Sequence, residues 1–316
     1  MKYLYVIISD LQDIYFEQAY ISILSLKESN PNAFISILTD SETKKNIDES
    51  SRSSIKKIVD EFIVVNIPSS FSKKHKSSWL KTSMRSYISG DFLFIDSDTI
   101  ILNKIDESSF CGYLIGAVPD LHRKFSEHIN RDKLNALFKE LGFVFNNENY
   151  YNSGVLFVKD CPETTSFFKL WHMNWLKNKD VCKYDQPLLA MTNNSFNIIK
   201  EMQGEVNCQI MYGIHLLNKA SIVHYFASNF VTADSEKPFK LMDKQIFLNF
   251  RNSDYKVVPQ FSNVHSLIRN NCELVPLNCS LLLHSYSFKM FSKIYNKRNI
   301  FWRTLEKICV KMSSNK

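Results

Sequence analysis

Two carboxylates, Asp96 and Asp98, stand where an uninterrupted apolar run, Phe92-Leu-Phe-Ile95, ends, and apolar residues resume at once with Ile100-Ile-Leu102. Four apolar residues without polar alternation are the pattern of a strand buried on both faces. Charged groups so close to a core are costly unless they are paired or bound to a cation. Ligands of open α/β sheets sit just outside the carboxyl ends of the strands. Two oxygen donors there suit Mg2+ or Mn2+ and, through it, a phosphate-bearing ligand. The same Asp-x-Asp spacing also serves as a turn or a helix cap, so the surrounding elements must decide.

Those elements read as an alternation. Residues 3–8 form an apolar strand ending at Ser9-Asp10, followed by a helix over 13–29 that Asn30-Pro31 stops. Residues 34–38 are a second strand, ending in Thr39-Asp40. The i, i+3, i+4, i+7 series Ile55, Ile58, Val59, Phe62 predicts a helix over 54–62, and 63–67 a third strand. A helix over 77–89 carries Lys81 and Arg85 beside its apolar face and leads into the acidic strand. Strands alternating with helices imply right-handed βαβ units in a mostly parallel, twisted sheet, an α/β fold with helices on both faces. Residues 1–102 thus look like a nucleotide-binding half. They lack G-x-G-x-x-G and the Walker-type glycine loop, which disfavours a dinucleotide enzyme or a P-loop ATPase.

Further on, 113–118 and 150–158 read as strands and about 123–141 as a helix closed by Gly142. The strand at 150–158 opens with polar Asn152-Ser153 and Gly154; a glycine there marks a bulge or the close approach of a ligand. The aromatic helix over 162–177 is core. Asp185, before Gln186-Pro187 and a short helix, is well placed as an N-cap. Ser221-Ile-Val-His224-Tyr-Phe is a short strand whose one histidine is either a satisfied core residue or a ligand. Residues 227–260 read as an irregular, mobile loop region.

Composition sets bounds. The 316 residues are 45% hydrophobic and 13% aromatic, enough for a large core. Seven scattered cysteines without C-x-x-C spacing argue against a disulfide framework or a zinc site and fit a reducing cytosol. The six-residue apolar run Tyr3–Ile8 is too short for a signal-peptide core, and no run approaches a membrane span. Of the net charge of +7, the whole excess lies in Lys289–Lys316, where eight Lys/Arg face Glu306 alone. General nucleic-acid binding by the balanced body is therefore disfavoured.

Taken in order, five segments covering roughly residues 3–240 resemble the GT-A glycosyltransferases, most closely glycosyltransferase family 8, which includes glycogenin and bacterial galactosyl- and glucosyltransferases of surface polysaccharides. Ser9-Asp10 with Tyr15 is similar to the family's uracil-contacting start. Asp96-Ser97-Asp98 looks like its metal-binding Asp-x-Asp motif, with Ser97 against the nucleotide. Asn152-Ser153-Gly154 resembles its Asn-Ala-Gly strand beside the donor sugar, Asp185-Gln186 its Asp-Gln pair under that sugar, and Val223-His224 its third metal ligand. Lys81 sits where the family has a basic residue near the donor. One departure is plain. The family's diphosphate-gripping lysine follows its metal histidine closely, whereas Lys237-Pro238-Phe239 comes 13 residues after His224.

The resemblance implies a GT-A catalytic domain over 1–260, with 103–260 as the donor-sugar and acceptor half, and a C-terminal region over 261–316. It implies a divalent cation, Mn2+ or Mg2+, held by Asp96, Asp98 and His224; an imidazole in the set favours Mn2+ over Ca2+. It implies a UDP-sugar donor, a saccharide or glycoconjugate acceptor and retention of configuration, with Asn152, Asp185 and Gln186 at the reacting sugar and Lys81 and Lys237 toward the phosphates. In the tail, Phe291, Ile294, Tyr295, Phe301, Trp302, Leu305, Ile308, Cys309 and Met312 recur at helical spacing among the basic residues. Such a basic amphipathic helix either lies on the anionic inner face of the plasma membrane or packs on the domain. The competing functions are a sugar nucleotidyltransferase and a sugar-nucleotide-binding protein without turnover.

Overall fold

A computed structural model describes residues 1–209, 212–224 and 244–256, with Thr304 and Lys307. The chain divides into two compact units, Met1–His265 and Ser266–Lys316. The second contributes only Thr304 and Lys307 to the described residues, so the expected basic tail helix and its membrane role lie outside them, as does Lys237.

The first unit is built on a mostly parallel seven-stranded sheet. Its strands are β1 (Lys2–Ile7), β2 (Phe34–Asp40), β3 (Glu61–Val65), β4 (Phe92–Ile95), β6 (Ile115–Pro119), β7 (Tyr151–Val158) and β8 (Ile199–Glu201), in the order β3-β2-β1-β4-β7-β6-β8. Only β7 runs against its neighbours, pairing antiparallel with both β4 and β6. A second, three-stranded sheet joins β5 (Thr99–Ile101), β10 (Ile222–His224) and β9 (Cys208–Gln209).

The apolar runs explain the central strands. Side chains alternate between faces. Leu4, Phe92, Phe94, Leu156 and Val158 pack with Leu80 of α3 (Lys73–Ser83) and Phe167, Phe168, Trp171 and Trp175 of α5 (Pro162–Asn178). On the other face the Tyr5 hydroxyl meets Ser22 Oγ of α1 (Tyr15–Ser29) at 3.0 Å. Replacing Phe167 or Trp171 by alanine costs about 3–5 kcal/mol, because both are fully buried.

Four local expectations change. A helix at Ser41–Asp48 (α2) was not foreseen; Asp40 caps it by accepting from the Thr43 N–H, and only Thr43 and Ile47 are buried, so its pattern is faint. The helix expected over 54–62 is a 3-10 turn at Ser51–Lys57, since Glu61–Val65 is drawn into register with β2. The helix expected over 123–141 reduces to α4 (Arg131–Glu140), preceded by two 3-10 turns. Within the stretch expected to be irregular, Lys244–Asn252 forms α7, burying Phe247 and Phe250. The remaining helix is α6 (Gln186–Phe196).

Candidate active site

The sheet order makes the site. β1 and β4 are parallel neighbours, so the loops after Ile7 and Ile95 leave from the same edge. β7 is antiparallel, so its opening residues, Asn152, Ser153 and Gly154, reach that edge too, and the Asp96 N–H donates to Gly154 O at 2.8 Å. The turn Asp96–Thr99 is closed by the Thr99 hydroxyl donating to Asp96 O at 2.9 Å. Antiparallel pairing of β10 with β5 then sets His224 opposite Thr99, one residue after Asp98. Side chains more than a hundred positions apart thus meet through a register that no local pattern announces.

Asp96, Asp98 and His224 each present one ligating atom, and these atoms lie within 4.8 Å of one another, the one such group of three among the described residues. His224 Nε2 stands 3.3 Å from Asp98 Oδ1. Lys81, in the last turn of α3, places Nζ 3.1 Å from Asp96 and 3.4 Å from Asp185. Burial pushes the Asp96 carboxyl up to about 6; the Lys81 ammonium opposes this and the Asp98 charge adds to it. Burial alone would lower His224, but the Asp98 and Asp96 carboxylates outweigh it and hold the imidazole above its usual range. Three carboxylates against one lysine and a histidine leave an acidic excess in a half-buried place. Two carboxylates and an imidazole nitrogen are a donor set that fits a divalent transition-metal cation.

Gly154 has a specific reason to be glycine. A Cβ built there would stand 2.1 Å from Cε1 of the His224 ring, so the backbone is bare to seat that imidazole. Asn152 beside it is engaged at both ends of its amide: Nδ2 donates to Asp120 Oδ1, and Oδ1 accepts from the Gly154 N–H, each at 2.9 Å. Asp185 does occupy the N-cap position of α6, yet its side chain makes no capping bond and pairs with Lys81 instead. Its carbonyl is held by the Trp171 indole N–H at 3.2 Å. Gln186 Oε1 accepts from the Ser153 N–H at 3.1 Å, tying the start of α6 to β7.

On the β1 side, Ser9 and Asp10 are already partnered. Asp10 Oδ1 accepts from the N–H groups of Gln12 and Asp13, and its other oxygen pairs with Lys73, which also meets Asp13 at 2.9 Å. The Lys73 hydrogen bond and the Asp13 N–H hold the Asp10 carboxyl well below the usual range. Arg52 donates to Asp10 O at 2.7 Å. Tyr15 is 51% exposed and Ser97 half-buried, so both are open to a ligand.

Asp13, Lys73, Arg52, Asp120 and Asn207 escaped the sequence reading. Asp120 carried a signal, since it follows the apolar strand β6 just as Asp96 follows β4. Asn207 carried none.

No protein-family model and no curated protein matches the sequence. Among solved structures, the galactosyltransferase LgtC in complex with donor and acceptor sugar analogs superposes on 84% of this chain and 100% of its own, with a TM-score of 0.53 and 16% identity. An active-site mutant of LgtC matches similarly, with a TM-score of 0.51 over 82% of this chain and 98% of that one at 16% identity. The fold is that of the GT-A glycosyltransferases. A mouse xyloside xylosyltransferase in its apo form is a looser neighbour, with a TM-score of 0.46 at 12% identity over 72% of this chain and 97% of its own.

Proposed function

We propose that this chain is a metal-dependent, retaining glycosyltransferase that moves a hexose, glucose or galactose, from a UDP-sugar to a saccharide acceptor, of the kind used in bacterial surface polysaccharide or glycoconjugate synthesis. One observation carries the reading: in a GT-A fold, Asp96, Asp98 and His224 converge within 4.8 Å at the ligand-binding edge of the sheet. Those three side chains would hold a divalent cation, which would supply charge neutralisation to a departing diphosphate.

The rest falls to side chains. Breaking the anomeric C–O bond puts negative charge on the nucleoside diphosphate and oxocarbenium character on the sugar. Lys81, kept protonated between Asp96 and Asp185, adds fixed positive charge near the leaving group. Asp185 and Gln186 face the reacting sugar from the start of α6, with Ser153 and Gly154 lining its strand. Asn152, already held at both ends, positions that strand. Tyr15 stacks on the base, and Asp10 and Ser9 hold it after Lys73 yields; Ser97 borders the nucleotide, and Lys237, outside the described residues, is the sequence candidate for the diphosphate. In a same-face displacement the acceptor oxygen bonds to the anomeric carbon as the C–O bond to phosphate breaks, and the departing phosphate oxygen takes the acceptor proton.

Release of UDP from a panel of UDP-sugars, with Mn2+ and with EDTA, tests the reading. Release from UDP-glucose or UDP-galactose that stops with EDTA is expected. Pyrophosphate formed from UTP and a sugar phosphate would reassign the chain as a nucleotidyltransferase. Binding without turnover on any donor would make it a sugar-nucleotide-binding protein.

A further inference from the structure

We propose that Asn207 is a positioning residue for the metal site: its amide sets which nitrogen of His224 carries the proton and so aims the Nε2 lone pair at the space beside Asp98. This rests on the metal reading above, but its first readout does not need the metal.

The polarity of the network can be read from groups that cannot change role. The Gly154 N–H only donates, and it points at Asn152 Oδ1 from 2.9 Å, so the oxygen of that amide is identified. The same oxygen lies 3.0 Å from Asn207 Nδ2, which therefore donates to it. Asn207 Oδ1 must then face the other way, and there it stands 3.0 Å from His224 Nδ1. An amide oxygen only accepts, so Nδ1 carries the proton. In the neutral ring this leaves Nε2 with its lone pair free of hydrogen, 3.3 Å from Asp98 Oδ1.

The far end of the chain is pinned as well. Asn152 Nδ2 donates to Asp120 Oδ1, and Asp120 Oδ2 meets His128 Nε2 at 3.0 Å. His128 Nδ1 accepts from the Asn130 N–H at 3.1 Å, so His128 Nε2 carries its proton toward Asp120. Asn152, Asn207 and His224 are all buried, at 5%, 0% and 2% exposure, so bulk water does not compete for these bonds. Turning the Asn207 amide over would set its oxygen against Asn152 Oδ1, two buried acceptors face to face. The ring cannot slide away either, because Gly154 backs it closely. A backbone N–H and a carboxylate on β7 and after β6 thus dictate, through two amides, the tautomer of a ligand on β10. Partners of this kind, which orient a ligating histidine through its second nitrogen, influence metal affinity strongly.

The test uses full-length protein with 15N-labelled histidine, the His224 signals being assigned with His224→Ala. At alkaline pH, without metal, the wild-type ring is expected to show Nδ1–H and a bare Nε2. Asn207→Leu keeps the bulk but offers no acceptor; it is expected to mix the tautomers and to weaken Mn2+ binding in calorimetry by roughly 10- to 100-fold. Asn207→Asp restores an acceptor for Nδ1 while losing the donor to Asn152. It is expected to recover both the tautomer and most of the Mn2+ affinity, even though it melts below the leucine variant. A purely structural role orders the two variants the other way, with affinity following stability, and that order overturns the proposal. So does a wild-type ring with its proton on Nε2. A wild-type protein with the expected tautomer that binds no Mn2+ would instead overturn the metal reading and leave the orientation of the ring standing.

Discussion

The regions around the ends of β1 and β4 both shield carboxylates from water, and they treat them in opposite ways. Behind the β1 loop, Glu17 is fully buried and is met by Arg52 at 3.0 Å, by Arg251 of α7 at 2.5 Å and by the Tyr255 hydroxyl at 2.7 Å. Every charge there is answered from within the chain, and the cluster clamps α7 to α1. Beyond β4, Asp96, Asp98 and Asp185 share Lys81 and His224, and an acidic excess remains. Buried acid alone therefore says little about function. The proposed cation site is read instead from acid that the chain leaves short of positive charge.

The largest expected effect separates the two regions by activity. Asp96→Asn or Asp98→Asn should lower transfer by roughly 10³-fold or more in an assay of UDP release, with the fold intact by circular dichroism. Near-normal turnover in either would erase the distinction. Glu17→Gln should do the reverse. It leaves Arg52 buried without its counter-charge and should cost about 3–5 kcal/mol in urea unfolding, while the residual folded protein still binds Mn2+. Gly154→Ala comes next: with no room beside His224, Mn2+ affinity should fall by roughly 10- to 100-fold in calorimetry, with less loss of stability than Glu17→Gln.

The smallest effect is the sharpest, because its sign differs between the regions. In the metal-free protein Asp96 is raised to about 6 by burial, so its contribution to stability is present below its unfolded value near 4 and is lost as pH rises through 6. Asp10 is lowered by Lys73, so its contribution is present above that unfolded value and is lost as pH falls toward its folded one. Asp96→Asn should therefore gain on the wild type as pH rises from 4 to 6 in metal-free denaturation curves, whereas Asp10→Asn should trail it by a constant amount there and close the gap only as pH falls below 4. Parallel curves for the two variants would contradict the contrast.

Much of the frame was legible because burial on both faces leaves a blunt signal. The runs at β1 and β4, each followed by an aspartate, named the strands and the edge of the sheet at which the candidate site residues gather. Asp96, Asp98 and His224 could be picked out by type and flanking residues, and the mostly parallel sheet followed from the alternation of elements. What stayed hidden was set by long-range pairing. Nothing local says that β7 runs antiparallel, yet that direction carries Asn152 and Gly154 to the site. Asn207 and Arg52 have no sequence signature, since a buried amide or guanidinium looks like a surface one until its partners are known. Helix α2 hid because a strong cap and two buried residues suffice to hold it. Helix α7 could have been found from the spacing of Phe247 and Phe250, but polar neighbours masked it.

The central claim is that the acidic edge is completed by a divalent cation shared with a nucleotide. Titrating Mn2+ into the wild-type protein with UDP present, followed by the electron paramagnetic resonance of the free ion, tests it most directly. The account predicts saturation at one ion per chain, weakened when UDP is left out and lost in Asp98→Asn and His224→Ala. Binding that does not saturate, or that is the same in those variants as in the wild type, would contradict it.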